Sequence, residues 1–471
     1  MRTPGRWRAL RFCGPAVMVS VGYMDPGNWA TDLEGGARFG YQLLWVLLAS
    51  NLIAMLLQTL AVRLGIGGRI DLAQACRAHY GRPTVLALWS LCEIAIMACD
   101  LGSLLGSAIA LNLLFAIPLG WGALITGADV LIVIGLQRYG IRKLEALVGV
   151  MILTIAVCLV FQLGLAQPAW GEVAGGLIPR LDAASLFVAI GILGATVMPH
   201  NLYLHSALVQ TRYVAPTESA RSEAIRCNLL DTAGALNMAF LINAAILVLS
   251  ASVFYSRGIE VTELRQAHAL LTPILGTTLG ATAFAVALLA AGQTATVTGT
   301  IAGQIVMEGF LRLRMSAVRR RLVTRALAVI PAVVVLFRSG EEGALQMLIA
   351  SQVVLSLQLP FAIVPLLRFT NARAVMGVFV SPSWLRLLGH VCAMLVIGLN
   401  AWLITQVLAT ESLLTQLAVG TVAGACAGLL LWVGLVPLRL KSPLPTRDGF
   451  THNPRGTKRK KDASGHLNNW L

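Results

Sequence analysis

The feature that most constrains this chain is a succession of about twelve apolar segments, each near the ~20 residues that a helix needs to cross a bilayer. Of the 471 residues, 57% are hydrophobic and only 12% are charged, which is far from the composition of a soluble domain. The sequence therefore predicts an all-α polytopic membrane protein that is embedded in the lipid bilayer.

The formal net charge of +15 also fits a membrane protein better than a nucleic-acid-binding one. When the segments are assigned alternately from a cytoplasmic N-terminus, all but five of the 36 Lys and Arg residues lie on the inner side. This asymmetry follows the positive-inside rule, so we expect both termini in the cytoplasm and no nucleic-acid partner.

The short loops are typical of a bacterial inner-membrane protein. We assign residues 1–440 to one transporter domain and residues 441–471 to a basic, disordered cytoplasmic tail.

Two of the apolar spans are interrupted by the same pattern, x-Pro-x-Asn. The first span contains Asp25-Pro26-Gly27-Asn28 and the sixth contains Met198-Pro199-His200-Asn201. An odd number of spans separates these points, so the two halves enter the membrane in opposite orientations. This is the pattern of an inverted repeat whose broken helices meet at the bilayer midplane. We place the repeats at about 11–167 and 182–370, with two additional spans at about 385–436. In the second repeat we expect the ninth span at about 322–337 and the tenth at about 345–367, with a short loop between them.

Each proline leaves one backbone carbonyl without its helical donor. Pro26 does this to Gly22 and Pro199 to Ala195, because proline has no N–H. Inside a membrane, such carbonyls are tolerated only where they line a cavity or bind something.

The side chains at the two breaks indicate what would bind there. Asp25 supplies one negative charge, Asn28 an amide oxygen and Met198 a thioether. A single carboxylate among neutral oxygens favours a cation. The sulfur disfavours Ca2+ and Mg2+ and is tolerated by Mn2+, Fe2+, Co2+ and Cd2+.

Several ionisable residues near the breaks are candidates for proton transfer. His200 lies roughly 200° around the helix from Met198, so we place it beside the cation as a proton acceptor. Glu93 and Asp100 share one face of the third span. The fourth span contains Asp129, and we expect His205 to form structural hydrogen bonds. The eight cysteines form no Cys-x-x-Cys pair, and we expect free thiols that act as small apolar residues.

With these motifs in place, the chain resembles the natural resistance-associated macrophage protein (Nramp) family of proton-coupled divalent metal transporters. Besides the two broken spans, the resemblance includes Phe39-Gly40-Tyr41, Gly292-Gln293-Thr294 and Gln358-Leu359-Pro360-Phe361. It implies a LeuT-like five-plus-five inverted repeat that imports Mn2+, Fe2+ and also Cd2+ or Co2+ by alternating access. It implies no enzymatic activity, no resident cofactor and no obligate protein partner.

The resemblance also implies roles for individual residues. The implied metal ligands are Asp25, Asn28, Met198 and the Ala195 carbonyl, with the Gly22 carbonyl and Gln352 as additional ligands. The implied proton route runs through Asp100 and three arginines, Arg320, Arg321 and Arg325. Ser103 occupies the position at which the family pattern has a second acid, so the strength of proton coupling is open.

Other functions stay open from the residues alone. A LeuT-like porter for an amino acid or for Mg2+ would share the fold, but neither substrate has a use for the Met198 sulfur. A membrane receptor that binds metal without transporting it is the third alternative. We expect no such receptor, because only a short polar tail follows the last span.

Overall fold

The computed structural model describes residues 14–128, 135, 140–259, 261, 264–312, 317–410 and 413–438. The first half of the described chain contains α1 (Pro15–Ser20), α2 (Pro26–Phe39), α3 (Leu44–Gly67), α4 (Leu72–His79), α5 (Arg82–Phe115), α6 (Leu119–Ala128), α7 (Ile141–Ala166) and α8 (Trp170–Gly175). The second half contains α9 (Ala183–Thr196), α10 (Pro199–Leu208), α11 (Glu218–Val253), α12 (Leu264–Leu275), α13 (Thr278–Leu311), α14 (Ala317–Gln358), α15 (Pro360–Asn371), α16 (Arg373–Met376), α17 (Ser383–Thr410) and α18 (Leu413–Leu435).

The described part of the chain is mainly helical and contains no strand, which confirms the predicted fold class. Nine of its segments are long and apolar enough to cross a membrane. The first predicted span is absent from that set because it is divided into α1, a short 3-10 turn at Val21–Tyr23, and α2. The fourth is represented by α6 alone, and Asp129, predicted within it, lies outside the described residues.

The prediction of separate ninth and tenth spans differs from the structure. Residues 338–343, which the sequence suggested as a loop, are helical, and α14 continues without interruption to Gln358. The arginine and glutamates of that segment are good helix formers, and each of its two glycines costs only about 1 kcal/mol relative to alanine. The chain instead breaks at Leu359, immediately before Pro360.

The centre of the bundle is formed by the long helices α5 and α13, which pack against each other. At Gly292 the two backbones approach so closely that a Cβ atom would overlap the Ser107 hydroxyl. At the periphery, α18 leaves Leu431, Trp432 and Leu435 exposed. An apolar face of this kind is what a lipid-facing helix requires.

The end of the bundle that carries the N-terminus is held by polar contacts to α1. Oδ2 of Asp231 in α11 accepts the backbone N–H groups of Gly14 and Ala16, each at 3.2 Å. Beside it, Arg212 donates to both carboxylate oxygens of Glu145 at 2.6 and 2.7 Å. These contacts join α1 to α7, α11 and the segment after α10, so the short first helix is fixed at its end.

The ion pair between Arg212 and Glu145 gives a test of this packing. Both side chains are largely buried, with 7% and 12% of their surfaces exposed. Glu145→Gln removes the negative charge that pairs with the largely buried Arg212 guanidinium, and breaking such a pair costs about 3 kcal/mol. We expect a clearly lower Tm in thermal unfolding of the detergent-solubilised protein.

The matched control is Glu34→Gln. Glu34 pairs with Arg38 at 2.7 Å, but Arg38 is 47% exposed, and solvated pairs contribute little. Equal Tm values for the two variants would show that the Arg212 pair does not hold this end of the bundle.

Candidate cation site

The first helix break is organised by the Asp25 side chain. Asp25 has an extended backbone (φ −71°, ψ 166°) and precedes Pro26, the first residue of α2. Its Oδ1 atom accepts the backbone N–H of Asn28 at 2.9 Å. Asp25 is therefore the N-cap of α2, and the positive end of the helix dipole faces a fully buried carboxylate.

Asn28 provides a second oxygen at this break. Its amide nitrogen donates to the Gly22 carbonyl at 3.4 Å, which directs the opposite atom, Oδ1, away from that carbonyl. Oδ1 is buried and has no hydrogen-bond partner. An unpaired buried acceptor is costly unless something else satisfies it, and a cation can do so. The Gly22 carbonyl, in contrast, already accepts one long hydrogen bond.

The second break lies between α9 and α10. Met198 has an extended backbone (φ −75°, ψ 125°), and Pro199 begins the next helix. The Met198 side chain is completely buried, and Ala195 is 1% exposed. Because Pro199 has no N–H, the Ala195 carbonyl lacks its usual helical donor. This break therefore offers a carbonyl and a thioether.

Residues on α5 and within the breaks bring these two regions together. Cys99 in α5 donates from its thiol to Asp25 Oδ2 at 3.9 Å, and it also packs against Met198 in a small cluster with Ala95 and Leu355. On another side, a Cβ atom on Gly22 would overlap the Asn201 amide. The two x-Pro-x-Asn motifs are thus neighbours in space, as the inverted repeat predicted.

Gln352 of α14 also reaches the first break. Its side chain lies directly against Gly27, where a Cβ atom would overlap Nε2. Nε2 donates to the Ser351 hydroxyl at 3.0 Å, while the buried Oε1 atom has no hydrogen-bond partner. Gln352 therefore places a second unsatisfied oxygen acceptor beside α2.

His200 and Asp100 are the two buried ionisable residues that the sequence places beside the breaks. Both are buried, and the Asp100 carboxylate acts electrostatically on the His200 ring. Nδ1 of His200 has no hydrogen-bond partner. Ser103 donates to the backbone carbonyl of Asp100 at 3.0 Å, so its hydroxyl does not take the place of an acid.

The other predicted proton-route residues are separate from this pair. Glu93 is half-buried and accepts from the Trp89 indole N–H at 3.1 Å, one helical turn away. Arg320, Arg321 and Arg325 lie on the first turns of α14, and their side chains lie outside the described part of the structure. These residues stay predictions.

The structure adds a polar chain that the sequence indicated only in part. His205, predicted as a hydrogen-bonding residue, contacts Gln58 Oε1 through Nδ1 at 2.9 Å. Gln58 in turn donates to the Tyr23 hydroxyl at 2.8 Å. This chain connects α10 and α3 to the first break, and the pairing across three helices has no signal in the linear sequence.

Two residues near the first break have contacts that the sequence did not predict. Asp32 is buried, and its Oδ2 has no hydrogen-bond partner. Its spacing of seven residues from Asp25, which puts both on one side of the helix, could have indicated this burial. Cys99 is a free thiol in an apolar cluster, as expected, and it also contacts the Asp25 carboxylate.

The donor atoms differ in type around the breaks. Within the described residues, no three His, Cys, Asp or Glu side chains cluster in a way that could hold a metal. The arrangement instead combines one carboxylate with neutral amide oxygens, backbone carbonyls and sulfur. Such a mixed set, low in charge, is suited to a cation that binds and leaves.

Known proteins share both the sequence and the architecture. The model of the natural resistance-associated macrophage protein-like family matches residues 16–406. The divalent metal cation transporter MntH of Xanthomonas campestris is 56% identical over 409 residues, which cover 85% of this chain and 92% of that protein. The MntH protein of Nostoc sp. is 51% identical, with the same coverage of 85% and 92%.

Solved structures agree with this relationship. The manganese transporter of Eremococcus coleocola superposes with a TM-score of 0.87 at 38% identity, covering 92% of this chain and 96% of that one. Mhp1, a nucleobase-cation-symport-1 family transporter, matches with a TM-score of 0.53 at 17% identity and covers 84% of this chain and 93% of its own. The likeness to Mhp1 shows the LeuT-type fold alone. On the family match and the identity to its members, this chain belongs to the natural resistance-associated macrophage protein family.

Proposed function

We propose that this protein is a secondary active transporter that imports divalent transition-metal ions, Mn2+ and Fe2+ above all, by alternating access coupled to protons. The observation that carries the proposal is the meeting of the two broken helices around Cys99, with Asp25 on one side and Met198 on the other. A buried carboxylate and a buried thioether in one place suit a transition-metal dication.

The proposed ligands divide into a core and an additional set. Asp25, Asn28, Met198 and the Ala195 carbonyl form the core, because each offers an atom that the helical hydrogen bonds or side-chain contacts leave available. The Gln352 Oε1 atom is the next candidate. The Gly22 carbonyl joins only if Asn28 releases its long hydrogen bond.

Selection among dications follows from the Met198 sulfur. Ca2+ and Mg2+ bind oxygen and have no use for a thioether, whereas Mn2+, Fe2+, Co2+ and Cd2+ accept sulfur alongside oxygen and nitrogen. The enclosed position of Met198 means that a bound ion has to give up water on that side. That loss is more costly for Mg2+, which dehydrates reluctantly.

Proton coupling is assigned to the residues beside the cation. Asp25 binds the metal, while His200 and Asp100 form the neighbouring pair that takes up or passes a proton. Glu93, Arg320, Arg321 and Arg325 would continue the route toward the cytoplasm. With Ser103 bonded to the backbone, the route has one acid fewer than the family pattern.

The proposed setting is the bacterial inner membrane with both termini in the cytoplasm. There an inside-negative potential draws in positive charge at about 2.3 kcal/mol per elementary charge per 100 mV. Inward opening requires α1 to move away from α11, so the contacts of Gly14 and Ala16 to Asp231 break in each cycle.

Uptake by reconstituted protein tests this function. In proteoliposomes loaded with a metal indicator, we expect Mn2+ entry that accelerates when the outside is made acidic. Asp25→Ala removes the only carboxylate among the proposed ligands, so we expect no Mn2+ entry with or without the pH gradient.

The control is Glu172→Gln, which removes an exposed carboxylate in α8 and leaves Mn2+ entry at the wild-type rate. Normal uptake by Asp25→Ala would exclude the proposed site. Mn2+ binding without any uptake by the wild-type protein would indicate a receptor instead.

The close approach of Gly27 and Gln352 gives a second test. Gly27→Ala places a methyl group where Gln352 Nε2 lies, so we expect Mn2+ affinity to fall by about ten- to hundredfold in equilibrium binding. Gly191→Ala is the matched control in α9, because its Cβ would make only an ordinary 3.5 Å contact with Thr31.

The double variant Gly27→Ala/Gln352→Ala identifies the cause of the lower Mn2+ affinity of Gly27→Ala. If the loss arises from the overlap, the double variant binds Mn2+ as Gln352→Ala does, because the colliding side chain is gone. Additive losses in the double variant would show that Gly27 acts on the cation site without Gln352.

A further inference from the structure

The Cys99 thiol lies at the proposed cation site, although Cys99 is not one of the proposed ligands. It lies on α5, outside both helix breaks. Its sulfur is 3.9 Å from Asp25 Oδ2, and it belongs to the same small apolar cluster as Met198. Cys99 is 2% exposed. A buried sulfur atom therefore lies beside the carboxylate and in the same cluster as the thioether.

The distance between the Cys99 sulfur and Asp25 Oδ2 fits two ligands of one ion. Zn2+ gives a guide to the expected separation: with bonds of about 2.1 Å to a carboxylate oxygen and 2.3 Å to a thiolate sulfur at a tetrahedral angle, the two donor atoms are about 3.6 Å apart. The observed separation is 3.9 Å. A cation bound to Asp25 Oδ2 would thus reach the thiol sulfur with little movement of α5.

Two further atoms point to a ligand at the same place. Asn28 Oδ1 and Gln352 Oε1 are buried acceptors without hydrogen-bond partners, at 1% and 0% exposure of their residues. Asn28 is joined to Asp25 by a hydrogen bond. Gln352 lies against Gly27, which is between Asp25 and Asn28 in the sequence. The thiol therefore lies in a region whose unpaired acceptors a cation can satisfy.

We propose that Cys99 is a second sulfur donor of the cation site and that it shifts the selectivity of the transporter toward thiophilic dications, Cd2+ over Mn2+. On binding, the thiol gives up its proton to the water that the ion sheds, and the metal–sulfur bond replaces the S–H bond. This inference rests on the proposed function for its cargo, but it concerns a residue outside the four core ligands. Cd2+ is soft and gains most from a second sulfur, whereas Mn2+ prefers oxygen and gains least.

Transport competition measures the selectivity. Cys99→Ser keeps the size and the hydrogen-bonding capacity of the side chain and removes the sulfur. We expect the ratio of initial Cd2+ to Mn2+ uptake rates in proteoliposomes to fall about tenfold. Cys92→Ser, an equally buried cysteine two turns earlier on the same helix, leaves the ratio at the wild-type value.

X-ray absorption at the cadmium edge tests the same point on the unmodified protein. We expect two sulfur neighbours in the Cd2+-bound wild type and one in either Cys99→Ser or Met198→Ala. A single sulfur that disappears in Met198→Ala would overturn the proposal, and so would an unchanged uptake ratio in Cys99→Ser. This readout does not depend on the folding of any one variant.

The two proposals fail in different ways. If the wild type takes up Mn2+ and Cd2+ but the bound Cd2+ has only one sulfur neighbour, the proposed role of Cys99 is wrong and the transport function is unaffected. If two sulfurs bind Cd2+ but no ion enters the vesicles, the proposed role of Cys99 as a ligand is supported and the proposed transport function is wrong.

Discussion

The hydrogen bond from the Asn28 backbone to Asp25 is the contact on which the rest of the structure depends. A carboxylate buried among apolar helices is costly, by several kcal/mol even after relaxation. Here the cost is partly offset because Pro26 begins a new helix at that point and Asp25 caps its positive end. The second oxygen accepts a long hydrogen bond from the Cys99 thiol, which is a weak donor. A cation is therefore stabilised most by binding to that oxygen.

Close approach between helices makes this arrangement possible. Gly22 admits the Asn201 side chain from the second break, and Gly27 admits Gln352 from α14. In each case the missing Cβ lets an amide from another helix reach the backbone of the first break. The donor atoms of the two halves are therefore positioned by packing and not by a flexible loop, which favours a defined geometry in each transport state.

The sequence predicted those features that depend on local chemistry. The prolines located both helix breaks, and the length of the apolar segments located most spans. The carboxylate and the thioether indicated a transition-metal dication, which stays a prediction. The sequence failed where the outcome depends on which helix faces which. The burial of Asp32, the contact of Cys99 with Asp25 and the pairing of His205 with Gln58 all arise from packing between distant segments. The continuity of α14 through residues 338–343 reflects helix propensity that outweighed a loop-like charge pattern. The tail at 441–471 lies outside the described residues, and its predicted disorder stays a prediction.

The central claim is that one cation binds where the two broken helices meet. Anomalous diffraction at the manganese absorption edge, from crystals grown with Mn2+, locates the ion directly. The account predicts one principal peak within bonding distance of Asp25, Asn28 and Met198. A principal peak elsewhere, with none between the two breaks, would contradict it.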